Sequence, residues 1–349
     1  MNAIERLWYD HSLPAAIGRL ALVPPSALYG AIMRARGALY ERGTLTVHAL
    51  PLPVLSIGNV SVGGTGKTPL AAWTATRLIT LGARPAIVMR GYGGDETLVH
   101  AALNPGVPVI ADADRVRGAA RARASGCDCV VLDDGFQHRR LARTADWVLI
   151  SAEQFVRSRR VLPAGPLREP LSALTRAHLI IVTRKSATLA TAESVAERIL
   201  AVAPGVDTAV CRLAPTGLVA AGDGARSSLD TLRGARVMAL AAIGDPAAFF
   251  AQLQGLGAEE LRTVAFPDHH AFTARDVERV IASAAGCDAA VCTLKDAVKL
   301  APLWPHLALP LLYVSQQAEI ERGGMALDAS LAGIVAARAN ISSTAGTAG

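Results

Sequence analysis

Short apolar runs alternate along this chain with longer stretches that have helical spacing. The first run covers 52–57, and others follow at 85–89, 107–111, 129–132, 147–151 and 179–183. Each is short enough to be a strand and is bounded by Gly, Pro or polar residues. Between the runs lie helical segments. One opens near Pro69 and stops at Leu81-Gly82, since glycine readily closes a helix. A second runs from Asp114 to Ser125 with an arginine-rich face and ends at Gly126. A third covers roughly 191–203. Strands alternating with helices imply βαβ units and a mainly parallel sheet.

The pattern restarts after Arg212. A strand is expected at 237–243, and Gly244-Asp245-Pro246 opens a helix that continues through Leu256. Residues 264–266 lead into Pro267-Asp268-His269-His270, Thr273 caps a further helix, and strands at 289–293 and 311–314 complete a smaller α/β unit. The segment 220–228 is rich in Gly, Ala and Ser and is expected to be a hinge. The organisation expected is therefore a basic helical segment over 1–48, a core over 49–211, a smaller α/β domain over 212–335, and a small, polar, disordered tail over 336–349. There is no internal repeat.

The run at 52–57 feeds Gly58-Asn59-Val60-Ser61-Val62-Gly63-Gly64-Thr65-Gly66-Lys67-Thr68-Pro69. A strand, a glycine-rich turn, Gly-Lys-Thr and then a helix is the layout of a phosphate-binding loop. Its backbone N–H groups cradle phosphate oxygens, its lysine reaches the outer phosphates, and its threonine hydroxyl ligates Mg²⁺. The cradle expected here is Ser61, Val62, Gly63, Gly64, Thr65, Gly66, Lys67 and Thr68. The usual first glycine is Ser61 in this chain. The helix N-terminus adds its own partial positive charge. Nucleotide chemistry on a phosphate-loop NTPase-like, mainly parallel sheet core follows, with Thr68 as a Mg²⁺ ligand.

Other strand ends carry chemistry too, as ligand-binding residues do in open α/β sheets. Residues 130–132 end in Asp133-Asp134-Gly135-Phe136-Gln137-His138. Asp133 stands where a second acidic Mg²⁺ ligand belongs, and Asp134 can brace the loop. Arg90-Gly91-Tyr92-Gly93-Gly94-Asp95-Glu96 is another strand-to-loop transition. Asp95 is a candidate to accept a proton from an acceptor hydroxyl, although an Asp-Glu pair in a loop is commonly just solvated. Residues 163–170 form a proline-bounded loop whose Arg168 and Glu169 either position substrate or pair on the surface. Of His269 and His270, only one of two consecutive residues is expected to face a site.

Composition narrows the partners. The formal net charge is +6 and hydrophobic residues make up 51%. Mean hydropathy is +0.33 and the pI about 9.3. Such a surface suits phosphate or anionic lipid. With aromatics at 4% and no basic stripe interleaved with them, nucleic acid is not expected as a partner. No stretch reaches the roughly 20 apolar residues that span a bilayer. Residues 20–33 come nearest, broken by Pro24-Pro25 and flanked by Arg19, Arg34 and Arg36. They fit interfacial amphipathic helices and, equally, a helical hairpin packed on the domain. Five cysteines without CxxC spacing indicate reduced core thiols.

Taken together, these residues resemble the tetraacyldisaccharide 4'-kinases, the lipid A 4'-kinases of Gram-negative bacteria. The matching pieces, in family order, are the phosphate loop with Gly58-Asn59, Arg90-Gly91-Tyr92-Gly93, Gly94-Asp95-Glu96, residues 112–117, Asp133 through His138, residues 162–169, Phe266-Pro267-Asp268-His269 and residues 293–299. The resemblance implies ATP-dependent, Mg²⁺-requiring phosphorylation of the 4'-hydroxyl of a tetraacyldisaccharide 1-phosphate, giving lipid IVA and ADP. It implies a monomer at the cytoplasmic face of the inner membrane, attached by its N-terminal helices, with a smaller C-terminal domain that closes over the site. It implies Asp95 and His269 as a catalytic base dyad, Lys67 as a catalytic cation, and Tyr92, Arg115, His138 and Glu169 as nucleotide- or substrate-contacting residues.

Three departures stand out. Gly94 serves both the Arg-Gly-Tyr-Gly-Gly loop and Gly-Asp-Glu, where relatives carry an insertion. Thr97 replaces a proline, and Leu294 replaces the glutamate of a Thr-Glu-Lys-Asp stretch. The rivals are a switch ATPase or GTPase, which would commonly carry lysine where Val62 stands, and a non-enzymatic nucleotide-binding scaffold.

Overall fold

Apolar runs without alternation are explained by strands covered on both faces. The computed structural model describes residues 3–10, 12–91, 94–305 and 309–346. In chain order the elements are α1 (Ala3–Tyr9), α2 (Leu13–Ala21), α3 (Val23–Glu41), β1 (Val54–Asn59), α4 (Lys67–Thr80), β2 (Pro85–Met89), α5 (Asp95–Leu103), β3 (Val109–Ala111), α6 (Arg115–Ala124), β4 (Cys129–Asp133), β5 (Ala145–Ser151), α7 (Ala152–Phe155), β6 (Leu179–Arg184) and α8 (Leu189–Leu200). They continue with β7 (Asp207–Ala220), β8 (Arg226–Ser227), β9 (Arg236–Ala241), α9 (Pro246–Gly255), β10 (Glu260–Ala265), α10 (Ala274–Ser283), β11 (Ala289–Cys292), α11 (Leu294–Leu300), β12 (Leu311–Arg322) and α12 (Gly324–Gly346).

The chain forms two units. Of the described residues, the larger takes those within 3–91, 103–213 and 318–346, and the smaller takes those within 94–102 and 214–317. In the larger unit the strand order is β7-β6-β5-β1-β4-β2-β3, and every pairing in that run is parallel. Successive side chains alternate faces. Leu55, Ile57, Ile87, Val131, Trp147 and Leu149 pack on one side with Leu70 and Leu78 of α4. Val54, Val88, Val130 and Leu132 pack on the other with Ala119 and Ala122 of α6. From β1 the chain goes to β2, with β4 inserted between them, while β5 lies on the opposite side of β1. The phosphate loop leaves β1 at this switch point.

The smaller unit has the parallel order β10-β9-β11-β12, and β8 pairs antiparallel with the end of β7. Phe249 and Leu253 of α9 cover one face. Val277 and Val280 of α10 cover the other with Ala297 and Leu300 of α11. Helix α10 starts in a reciprocal cap, with Thr273 and Asp276 each bonding the other's backbone N–H, which satisfies two otherwise orphaned donors.

Four expectations are corrected. The tail is not disordered from 336: α12 continues through Gly346. Leu327, Leu331 and Ile334 recur at i, i+4 and i+7 and are buried in the larger unit's core, so burial holds the first half of that helix. The smaller unit is not a single stretch 212–335, because 94–102 joins it and 318–335 belongs to the larger one. Residues 220–228, expected to be a hinge, form a β7–β8 hairpin closed by Ala220 N–H donating to the Ala225 carbonyl, and the break expected between 211 and 212 falls at Leu213/Ala214. Asp95 lies not in a loop but at the start of α5.

Candidate active site

The phosphate loop is held from beneath and from the side. Helix α4 begins at Lys67, with Pro69 in its first turn, and its cap Gly66 has φ 87°. A β-carbon at Gly66 would come 2.3 Å from Leu213 Cδ1, so glycine is required twice over. Gly58 lies so close to the segment after β4 that a β-carbon there would stand 2.5 Å from Phe136 Cβ. Thr65 is buried, its hydroxyl accepts from Asn59 Nδ2 at 2.9 Å and its carbonyl accepts from Thr183 Oγ1 at 2.8 Å. Ser61 bridges to Leu167 and contacts Gln154 at 3.4 Å, and Val62 N–H donates to the Pro166 carbonyl at 2.8 Å. Lys185 Nζ reaches the Gly64 carbonyl at 3.3 Å. Loop 160–168 therefore braces the loop that the sequence assigns to phosphate.

The two expected Mg²⁺ ligands meet: Thr68 Oγ1 donates to Asp133 Oδ2 at 3.3 Å. Asp134, with φ 56°, turns away from the strand. It accepts from Arg168 Nη1 at 3.0 and 3.2 Å and lies 3.6 Å from Lys67 Nζ. Burial works to raise its pKa, but Lys67, Arg168 and Arg115 outweigh burial and hold it below the usual carboxylate range. Asp134 thus sets the position of the phosphate-loop lysine.

Arg115 is buried at the start of α6, and its Nη1 donates to the Ala113 carbonyl at 3.1 Å. Its Nε is buried without a hydrogen-bond partner, which leaves a donor for a ligand. Burial lowers its pKa, against the opposing pull of Asp134. At His138, burial and then the charges of Arg115 and Arg143 push the imidazole pKa down to about 4. Its Nε2 is likewise buried without a partner. Glu169 differs: both its oxygens are taken by Arg176, each at 2.8 Å, and Arg176 lies 3.6 Å over the Phe136 ring. This ion pair is a brace, so the expectation of direct substrate contact by Glu169 is not supported by its geometry. Tyr92 lies outside the described residues.

In the smaller unit Asp95 is 3% exposed. Its Oδ1 accepts from Glu96 N–H at 3.1 Å, and its Oδ2 is 3.3 Å from His269 Nδ1. His269 is held with φ 60°, in the left-handed region that non-glycine residues visit at a cost. Its N–H donates to Asp268 Oδ1 at 3.0 Å. Lys295 Nζ lies 3.1 Å from His269 Nε2 and 3.3 Å from Asp268 Oδ1. Lys295 and Lys299 are each 3.9 Å from Asp95 Oδ2. The neighbouring His270 is structural: it stacks on Phe266 at 4.9 Å and contacts Asp276 at 3.2 Å. The sequence missed the two lysines. Their spacing, i and i+4 on α11 next to a capping Thr293, was the available signal.

A cavity of about 400 Å³ lies elsewhere in the larger unit and is lined by Trp8, Arg19, Arg157 and Arg160 among others. Among the described residues there is no cluster of three or more His, Cys, Asp or Glu able to hold a metal ion. A hydroxyl–carboxylate pair such as Thr68–Asp133 is a different kind of site, suited to an ion that keeps waters and phosphates as its remaining ligands.

Comparisons with known proteins bear on the family. A family model described as Tetraacyldisaccharide-1-P 4'-kinase, LpxK, matches residues 18–335. A protein of Anaeromyxobacter sp. (strain K) named tetraacyldisaccharide 4'-kinase is 40% identical, with 97% of each chain covered. One of the same name from Halorhodospira halophila (strain DSM 244 / SL1) is 38% identical, with 85% of this chain and 87% of that one covered. Among solved structures, LpxK from Aquifex aeolicus in complex with ATP aligns with a TM-score of 0.71 at 30% identity, covering 90% of this chain and 99% of that one. Matched along nearly its whole length in sequence and in fold, the chain belongs to the tetraacyldisaccharide-1-P 4'-kinase family.

Proposed function

We propose that this chain transfers the γ-phosphoryl group of ATP to the 4'-hydroxyl of a tetraacyldisaccharide 1-phosphate, giving lipid IVA and ADP. The observation that carries the reading beyond nucleotide binding is the contact of buried Asp95 with His269 at 3.3 Å. A switch hydrolase needs no such base for a sugar hydroxyl. A kinase does, and proton transfer of this kind is worth about 10²–10⁴-fold in rate.

The acceptor oxygen attacks the γ-phosphorus, its proton passes to the Asp95 carboxylate, and the bond to the β-phosphate bridging oxygen breaks with its electron pair leaving on ADP. His269 Nδ1 orients the carboxylate that takes the proton. Lys67, positioned by Asp134, offsets negative charge on the outer phosphates. Arg115 and His138, each with a buried polar nitrogen lacking a protein partner, are available to nucleotide or substrate oxygens. Thr68 and Asp133 supply two hard oxygen donors 3.3 Å apart and fit Mg²⁺, which when bound acts as a Lewis acid on the phosphate oxygens.

We place the reaction at the cytoplasmic face of the inner membrane, where ATP and a lipid acceptor meet. No single described helix is long and apolar enough to cross a bilayer, but α2 and α3 form a pair bent by 47° that together has the needed length and composition. Leu13, Ile17 and Leu20 are exposed on α2, which supports an interfacial position.

The test is phosphate transfer from γ-labelled ATP to purified tetraacyldisaccharide 1-phosphate in detergent with Mg²⁺. Label in the lipid is expected. Label released only as free phosphate, with or without lipid, would overturn the kinase reading in favour of a switch hydrolase.

A further inference from the structure

We infer that Lys185 is a nucleoside-binding residue: its side chain, reaching from the turn after β6 to the phosphate loop, is the surface on which the ribose and base of ATP rest. The inference deepens the proposed kinase reaction and rests only on its nucleotide half.

The direction of the nucleotide comes first. In the sheet β1 lies between β4 and β5, with β6 beyond β5. Thr68 and Asp133, the pair suited to Mg²⁺, meet on the β4 side, and Lys67 is drawn to Asp134 on that same side. Metal and outer phosphates belong together, so the outer phosphates point toward β4. The rest of the nucleotide then leaves across the other half of the loop, toward β5 and β6. Two side chains stand there. A β-carbon at Gly63 would come 2.6 Å from Gln154 Nε2, and one at Gly64 would come 3.8 Å from Lys185 Nζ. The Gly64 carbonyl accepts from that Nζ at 3.3 Å.

The lysine projects from a fixed turn. The backbone N–H groups of Lys185, Ser186 and Ala187 all donate to Glu153 Oε1, at 2.7, 3.0 and 3.1 Å, and Glu153 Oε2 accepts from Ser151 Oγ at 2.8 Å. Burial works to raise the Glu153 pKa, but these hydrogen bonds outweigh burial and hold it below the usual carboxylate range. The two residues before the lysine serve the fold: Thr183 Oγ1 donates to the Thr65 carbonyl at 2.8 Å, and Arg184 Nε donates to Glu321 Oε2 at 2.7 Å. Lys185 differs. Its side chain is exposed, and so is Gly64, so one hydrogen bond between them stabilises the empty loop little. Its stem spans the gap from the turn to the loop on the side where the nucleoside leaves. Four methylenes offer an apolar floor to a flat base, and the ammonium attracts the ring face. With three donors, the ammonium can keep the Gly64 carbonyl and meet a ribose oxygen. Such contact reads the face and the sugar, so it separates a nucleotide from a bare polyphosphate and not one base edge from another.

The test is calorimetric titration of the full-length protein, with Mg²⁺ present, by two probes: ADP and inorganic pyrophosphate. Both occupy the phosphate loop and only ADP carries a nucleoside, so the ratio of their affinities isolates the nucleoside contact. Lys185→Ala is expected to lower that ratio by about 10-fold, the size of one cation–ring contact, with the melting temperature unchanged. Lys185→Met keeps most of the stem and is expected to keep most of the ratio. In the phosphotransfer assay Lys185→Ala should raise KM for ATP by a similar factor, the mark of binding lost equally from ground and transition states. An unchanged ratio in Lys185→Ala overturns the inference, whether neither probe loses affinity or both lose it equally; in the second case the lysine supports the phosphate cradle alone. An equal fall in Lys185→Met and Lys185→Ala overturns the stem as the floor. Because ADP binding needs no lipid, the titrations decide the role of Lys185 even if no label reaches the lipid. A working lipid kinase whose ratio survives Lys185→Ala would overturn the inference and leave the proposed function standing.

Discussion

Two residues give direct handles on the site. Asp95→Ala removes the proposed proton acceptor and should lower kcat by about 10²–10⁴-fold, the range for a positioned base, while ATP affinity stays nearly constant because the phosphate loop is untouched. Steady-state kinetics at saturating lipid would decide it, and equal turnover in the variant would remove Asp95 from the mechanism. His138 offers a pH test. Its imidazole titrates near 4 in the folded protein, held down first by burial and then by Arg115 and Arg143, against about 6.5 in an unfolded chain. Between those values the unfolded chain binds a proton that the native state refuses. Its contribution to stability is therefore intact above about pH 6.5 and falls away as pH drops toward about 4. Melting temperature measured from pH 7.5 to 4 should fall less steeply in His138→Gln than in the native protein. Parallel curves would show that the histidine does not report this burial.

At the scale of elements, α12 was the hardest to read and is the simplest to test. Leu331 is fully buried in the larger unit's core, and Leu331→Ala should destabilise that unit by about 2–5 kcal/mol, as other buried leucine truncations do. A denaturant midpoint that does not move would mean that α12 is peripheral. Most strands and the phosphate loop were legible because their signals are local: apolar runs, glycines, and Gly66-Lys67-Thr68 itself; β7 and β8 were not, and only the last two residues of β10 were. So was the Asp133-Asp134 turn at the end of β4. The pairing of Asp95 with His269 was reached through family resemblance, since no spacing rule joins residues so far apart. Helix α5 was not legible because Gly93 and Gly94 immediately precede it and no Ser or Thr caps it. Helix α12 was obscured by its small, polar second half, although Leu327, Leu331 and Ile334 carried the helical period. The pairing of Glu169 was not legible because nothing in the sequence marks Arg176, seven residues on, as the partner that takes both its oxygens.

For the whole molecule, the open question of the N-terminus can be argued from what the helices touch. Helix α3 is tied to the segments that brace the phosphate loop: Ser26 Oγ donates to the Val161 carbonyl at 2.8 Å, Tyr29 Oη to the Arg168 carbonyl at 2.8 Å, and Arg36 Nη2 to the Gln137 carbonyl at 3.0 Å. Deleting residues 1–40 would thus loosen the catalytic support along with any membrane contact. Helix α2 is different. Leu13, Ile17 and Leu20 recur at i, i+4 and i+7 and are 74%, 60% and 69% exposed, so they lend the fold little and leave an apolar stripe facing outward. Burying each in the acyl boundary is worth about 1.5–3 kcal/mol, enough together to hold a protein on a bilayer. The triple variant Leu13→Ser, Ile17→Ser, Leu20→Ser should move the protein from the membrane pellet to the supernatant while keeping its melting temperature and its turnover of detergent-solubilised lipid. A variant that still sediments in low salt and is released by high salt would shift the attachment to the arginines that flank this stripe. One that sediments in both would place it outside α2 altogether.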